Sequence, residues 1–380
     1  MNHPTQINVL ALTGTRDAGI LGKNYGLDVA MNEQTKKYVF VCGLQRSGTS
    51  VLARNIGRLE NCTSFKNTGV LQDEGQYLQD VYPTDREYGG TGRFGFDPRA
   101  HLTETSALLR PQNIDKLRRT WDLYWEKDKR ICLEKTPGNL IMTRFLQAVF
   151  PDAYFIVVRR HPIAVSMATQ RWKVSITALH SLLEHWLCCY GIFDEDKKHL
   201  KHVYQLKYEN YIQNPQKYHQ EIAHFIGTRV PEAPKEDKFR HVTQWPPTDL
   251  RVPEGTMEEA SQAYNKKYFD RWSKLLNNSL FRSYYRYIAM KYESRVANYG
   301  YSLTKDFGLS EAESGKVSEA VGSLYCLGAD IGAFLRRLSV RIKLYFRIAV
   351  KATLPKFVVN RIRQARENQS LSDDRAEVRG

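Results

Sequence analysis

The chain has 380 residues, 42% hydrophobic and 26% charged, with 56 Lys and Arg against 41 Asp and Glu. That composition supports a sizeable buried core and excludes collagen-like, disordered and disulfide-scaffold classes. The net charge is +15, and residues 331–363 hold nine basic side chains and no acid, so the rest of the chain is only mildly basic, as suits an anionic ligand.

No run of eighteen apolar residues occurs, so no membrane-spanning helix is expected. The first thirty residues lack a basic start followed by an apolar core, so no secretory signal is expected. Six cysteines without framework or metal spacing point to a reduced, cytoplasmic setting and to no metal.

Residues 1–35 show weak periodicity and read as a poorly packed arm. The first firm element is the apolar run 38–42, a buried strand stopped by Gly43. After the loop 43–50, Val51, Leu52, Ile56 and Leu59 form a helical stripe. Pro111 opens a helix carrying Ile114, Leu117, Trp121 and Trp125. A second strand is expected at 131–133, a helix at 139–150, and the clearest strand at 154–158. Pro162 starts another helix, 176–193 form a long amphipathic one, 203–206 a further strand, and Pro215 a further helix. Strand and helix alternate at least four times, which predicts an α/β fold: a three-layer α/β/α arrangement with a central parallel sheet. Such sheets bind ligands outside the carboxyl ends of their strands, so chemistry is expected just after Cys42, Leu133, Val158 and Leu206.

The loop Gly43-Leu44-Gln45-Arg46-Ser47-Gly48-Thr49-Ser50 joins a strand to a helix. Its backbone N–H groups and the helix N-terminus suit a phosphate or sulfate oxygen, and Ser47, Thr49 and Ser50 add hydroxyl donors. The glycine spacing equals that of a nucleotide-binding P-loop, but Thr49 stands where that loop has lysine, and the basic side chain is Arg46. A P-loop small-molecule kinase is therefore the weaker alternative. Three further segments lie after strands: Glu134-Lys135-Thr136-Pro137, Arg159-Arg160-His161-Pro162, and Tyr208-Glu209-Asn210-Tyr211.

Together these residues resemble the sulfotransferase family that uses 3′-phosphoadenosine 5′-phosphosulfate (PAPS), most of all its carbohydrate and protein-tyrosine-type branch and the bacterial relatives. The resemblance spans about residues 37–305, with Arg46, Lys135, Arg160 and Tyr208 in the family's chain order. It implies a P-loop-like sulfotransferase fold and sulfuryl transfer from PAPS to a hydroxyl or amine without a metal. By the same resemblance Arg46, Ser47, Gly48, Thr49 and Ser50 hold the 5′-phosphosulfate, Arg160 the 3′-phosphate, and Tyr208 lies near the adenine. Lys135 reaches the transferring group. The family's serine eight positions after that arginine is here Ala168, so Ser166 is the preferred hydroxyl and Thr169 its alternative. The acceptor needs a base, for which Glu74 is preferred and Asp73 is the alternative; His101, His161 and His185 have no comparable placement, and His161 is expected to shape the turn before Pro162.

The expected organisation is an arm at 1–35, the sulfotransferase domain at 36–305, a linker at 306–320 and a basic helical extension at 321–380. In that extension Ile331, Phe334, Leu335, Leu338, Ile342, Tyr345, Phe346 and Ala349 recur at helical spacing, with Pro355 as the stop. Two readings stay open: a core helix with solvated arginines, or peripheral attachment to an anionic membrane through 331–351. No nucleic acid is expected.

Overall fold

A computed structural model describes residues 36–170, 176–232, 257–309 and 318–353. The expected arm at 1–35 lies outside the described residues, as do 354–380.

Five strands form one parallel sheet: β1 (Lys37–Cys42), β2 (Cys62–Ser64), β3 (Ile131–Lys135), β4 (Tyr154–Arg159) and β5 (His202–Lys207). Their spatial order is β2-β3-β1-β4-β5. β1 is central, with Val41 opposite Lys135 of β3 and Ile156 of β4. The short edge strand β2 was not visible in the sequence; the other four are where the apolar runs place them.

The central strands are apolar on both faces because both faces are covered. Val39 and Val41 pack with Leu52, Ile56, Ile156 and Ile222 on one side. Phe40 and Cys42 pack with Trp121, Phe145 and Phe155 on the other. The first layer comprises α1 (Thr49–Ile56) and, later in the chain, α6 (Tyr208–Gln213) and α7 (Pro215–Ile226), whose buried residues join the first cluster. Between them in sequence, α2 (Pro111–Asp122), α3 (Thr143–Val149), α4 (Pro162–Gln170) and α5 (Leu179–Asp196) supply the second layer. Helix α2 is shorter than its periodicity suggests: the chain leaves it at Leu123, yet Trp125 stays buried and donates from Nε1 to the Leu133 carbonyl at 2.8 Å.

Two helices follow, α8 (Met257–Asn278) and α9 (Arg282–Ala297), and Trp272, Leu276, Ile288 and Val296 bury them in the second layer. Phe307 and Leu309 are buried within the expected linker, whose residues 310–317 lie outside the described ones. The last element is α10 (Glu319–Thr353), longer at its start than the apolar stripe indicates. Among the described residues no helix is long and apolar enough to cross a membrane.

Candidate active site

The order of strands reverses on either side of β1, so the crevice at its carboxyl end is the topological switch point. The loop 43–50 leaves β1 there. Gly43 has φ +147°, and a Cβ on it would sit 2.4 Å from the Val158 carbonyl oxygen. Gly48 has φ +93° and is the residue just before α1; a Cβ there would lie 2.4 Å from the Tyr208 ring. Both positions therefore require glycine. Helix α1 begins without a side-chain cap and without an acid in its first turn. Its first N–H groups, at the positive end of the helix dipole, are the kind of donors that suit an anion.

Tyr208 leads out of β5 onto Gly48, and the Arg160 guanidinium lies over its ring at 4.7 Å. Arg160 is 2% exposed and donates from Nη1 to the Arg46 carbonyl at 2.8 Å. The structure thus brings Arg46, Gly48, Arg160 and Tyr208 together, with Ser47 and Thr49 buried and Ser50 half-buried beside them. Arg159 goes elsewhere. Its guanidinium lies over Tyr190 at 4.8 Å and Tyr299 at 4.5 Å, with Asp194 at 3.5 Å.

Ser166 is buried on α4, and its Oγ has no hydrogen-bond partner among the described residues. It lines a small cleft with Gln45, Gly92 and Thr169. Thr169 donates its hydroxyl to the Val165 carbonyl of its own helix at 2.8 Å. A buried orphan hydroxyl costs stability unless a ligand meets it, which favours Ser166 over Thr169 as a ligand donor.

Lys135 ends β3, and its Nζ lies 3.0 Å from Glu74 Oε1 and 3.3 Å from the Gln72 carbonyl. Glu74 is turned inward by two consecutive left-handed residues, Gln72 at φ +53° and Asp73 at φ +50°. Non-glycine residues rarely adopt that conformation, so the turn holds local strain. Asp73 faces the other way: its Oδ1 accepts from the Thr68 N–H at 2.8 Å and the Thr68 hydroxyl at 2.6 Å.

Glu74 is also tied to the anion loop by a chain of groups that the sequence did not reveal. Gln76 Nε2 donates to Glu74 Oε2 at 2.7 Å, the Asp85 N–H donates to Gln76 Oε1 at 2.9 Å, and Gln45 Nε2 donates to Asp85 Oδ2 at 2.7 Å. Burial, with a smaller contribution from the Glu74 charge, pushes the Asp85 carboxyl up to about 6. Glu134 fixes the segment from below, accepting from the Gly75 N–H at 2.8 Å and from the hydroxyl of Thr136 and the amide of Asn139. Full burial pushes Glu134 up to about 7. His161 shapes its turn as expected: its N–H donates to Glu209, its Nδ1 accepts from Ile163, and burial depresses the ring to about 3. His185 takes the Gly95 N–H, and His101 pairs with Asp196.

The donors gathered here are two buried cations, an open helix N-terminus and an orphan hydroxyl, with one ion-paired carboxylate beside them. Such a set suits a ligand carrying separate phosphate and sulfate groups. Residues 39–232 match the model of the sulfotransferase family. The chain belongs to that family. Solved structures similar to this sulfotransferase include the sulfotransferase domain of the Synechococcus PCC 7002 olefin synthase, with 15% identity, 71% of this chain and 98% of that one covered, and a TM-score of 0.39. A sulfotransferase from Alicyclobacillus acidocaldarius is 14% identical over 66% of this chain and 99% of that one, with a TM-score of 0.36. A mouse sulfotransferase complexed with PAP is 16% identical over 64% and 85%, with a TM-score of 0.31. No curated protein sequence matches the chain. The family match gives no support to the kinase alternative, in keeping with Thr49 at the position of the P-loop lysine.

Proposed function

We propose that the protein transfers a sulfuryl group from PAPS to a hydroxyl or amine of its acceptor. The observation that carries this reading is the buried Lys135–Glu74 pair set beside the anion loop at the switch point. Bound PAPS supplies the activated sulfuryl group. Arg46, the 47–50 backbone and the hydroxyls of Ser47, Thr49 and Ser50 hold its 5′ end, Arg160 and Ser166 its 3′-phosphate, and Tyr208 the adenine side.

Lys135 is a cation held in place before any reaction, so it stabilises charge developing on the bridging oxygen without reorganising, and Arg46 adds its charge from the loop. Glu74 accepts the acceptor proton. Its Oε1 already takes Lys135 and its Oε2 takes Gln76, which leaves one lone-pair direction on each oxygen for the incoming hydroxyl. Gln45, Gln76 and Asp85 keep that carboxylate in register with the loop, so catalysis is mainly positioning and electrostatics. Three one-turn helices, Asp85–Tyr88, Phe94–Phe96 and Pro98–Ala100, follow this network in the chain, and we assign to them part of the wall against which the acceptor rests. The six cysteines are free thiols, in keeping with the reducing cytoplasm as its compartment.

Calorimetry with 3′-phosphoadenosine 5′-phosphate (PAP) and with AMP tests the donor. Buried charge-assisted hydrogen bonds to the 3′-phosphate make PAP bind at least about tenfold more tightly. Equal affinity for the two nucleotides overturns the assignment.

A further inference from the structure

Helix α10 carries two opposed faces. On one, Gly322, Cys326, Ala329 and Ala333 are small and lie toward the body, and a Cβ on Gly322 would meet the Tyr287 ring at 2.1 Å. The same face carries Asp330, which receives Ser181 Oγ at 3.1 Å and lies 3.2 Å from His180 Nε2, and Arg337, which donates to the Ile176 carbonyl. The opposite face runs through Leu324, Leu327, Ile331, Phe334, Leu335, Leu338, Ile342, Tyr345 and Phe346, all exposed; Phe334 is 56%, Ile342 58% and Tyr345 69% accessible.

Nine large apolar side chains in one exposed stripe far exceed the scattered hydrophobics of an ordinary surface. At 1.5 Å per residue the stripe is about 33 Å long. Arg336, Arg341 and Lys343 are exposed on the arcs that border it. No acid follows Asp330 in the sequence until Glu367, while Lys356, Arg361 and Arg363 add further charge.

We propose that α10 lies in the plane of an anionic phospholipid surface, its Leu324–Phe346 face in the acyl boundary and its arginines and lysines at the headgroups. The charge selects this occupant. A second copy docked on the same face would bring Arg336, Arg341 and Lys343 toward like charges of its own kind, whereas an anionic leaflet complements them, each basic residue contributing about 1 kcal/mol of attraction near the surface. The interspersed cations also fit an in-plane helix and not a spanning one. The proposal does not depend on the donor assigned above.

The test is flotation of the full chain with phosphatidylserine–phosphatidylcholine vesicles and with pure phosphatidylcholine vesicles, beside light scattering of the protein alone. The expected result is a monomer that binds the anionic vesicles at least about tenfold more tightly. The triple variant Phe334→Glu, Leu338→Glu, Ile342→Glu should lose binding to both. Its three positions face away from the body, and unchanged PAP affinity reports an intact fold. Should that variant misfold, Arg336→Gln, Arg341→Gln, Lys343→Gln keeps the apolar face and should weaken binding to anionic vesicles by about tenfold or more. Vesicle binding absent in the wild type, or unchanged from the wild type in both variants, overturns the proposal. So does a dimer without vesicle binding that the glutamate variant splits, since the occupant is then a second copy.

Discussion

Lys135 Nζ and Glu74 Oε1 meet at 3.0 Å with both side chains almost wholly buried, at the end of the strand beside the anion loop. A buried pair of this kind is costly to break from one side, because the surviving charge is left without its partner. Lys135→Ala should therefore cost about 3 kcal/mol of stability and lower turnover by about 10²–10³-fold. Urea denaturation and steady-state kinetics on the same preparation separate the two effects. A variant with normal turnover would remove Lys135 from the chemistry.

Glu74 and Asp73 are adjacent acids whose surroundings differ. Glu74→Gln should reduce kcat by about 10²-fold or more, with PAP affinity unchanged. Asp73→Asn should keep kcat and change stability by less than about 1 kcal/mol, because both Thr68 donors go to Oδ1, which an amide carbonyl replaces at the cost of the charge alone. If Asp73→Asn is inactive and Glu74→Gln is not, the base has been assigned one residue too late.

Gly48 and Tyr208 are in direct contact, so their variants should not be additive. Gly48→Ala strains a backbone at φ +93° and drives a methyl into the Tyr208 ring. It should cost about 1–3 kcal/mol of stability and weaken PAP binding, because Tyr208 also supports Arg160. In a Tyr208→Ala background the steric part disappears and only the backbone strain is left. A double-mutant cycle that returns simple additivity contradicts the contact.

Ser166 and Thr169 separate by what their hydroxyls already do. Ser166→Ala removes a buried, unpartnered hydroxyl, so the free protein should become slightly more stable while PAP affinity falls by about tenfold. Thr169→Val removes a hydroxyl bonded within its own helix and should leave PAP affinity alone. Thermal melts with and without PAP give both numbers. The opposite pattern would transfer the ligand role to Thr169.

The parts of the molecule legible in the sequence are those where local pattern and global burial agree. Residues 38–42, 131–133 and 154–158 read as strands because both their faces are covered, leaving no polar alternation to confuse the pattern. Strand β2 has three residues at the sheet edge, too few for any periodicity. The turn after β1 was legible because a strand-to-helix loop this tight needs glycine at fixed places, and Gly43 and Gly48 have positive φ with close neighbours. Arg160 is singled out by the resemblance; that Arg159 turns elsewhere reflects alternation at a strand end, which sends adjacent side chains to opposite sides. The Gln45–Asp85–Gln76–Glu74 chain was not legible. Its members come from irregular segments, where neither spacing nor hydropathy marks a polar residue as buried, and only the fold brings residues 45 and 85 together. Helix α10 was read from its apolar stripe alone, which begins at Ile331. The helical extension was expected from residue 321, but its turns before Ile331 add little to that stripe because Gly322, Cys326 and Ala329 present a face of small residues to the body.

Asp85 gives the fold a pH dependence whose sign can be derived. Burial and the Glu74 charge raise its carboxyl from 3.8 to about 6. Between those two values the native protein keeps a proton that the unfolded chain gives up. Stability from this group is therefore full below about 4, declines as pH rises, and is lost above about 6, by about 3 kcal/mol in all. Asparagine at this position cannot titrate, and its carbonyl still accepts from Gln45 Nε2 while its amide faces the Tyr77 hydroxyl, 3.4 Å away in the native pairing. Asp85→Asn should consequently match the wild type near pH 4 and exceed it near pH 7.5. Urea midpoints for both proteins at the two pH values measure the difference. A gap between them that does not change with pH would mean that Asp85 is not the group that titrates in this window.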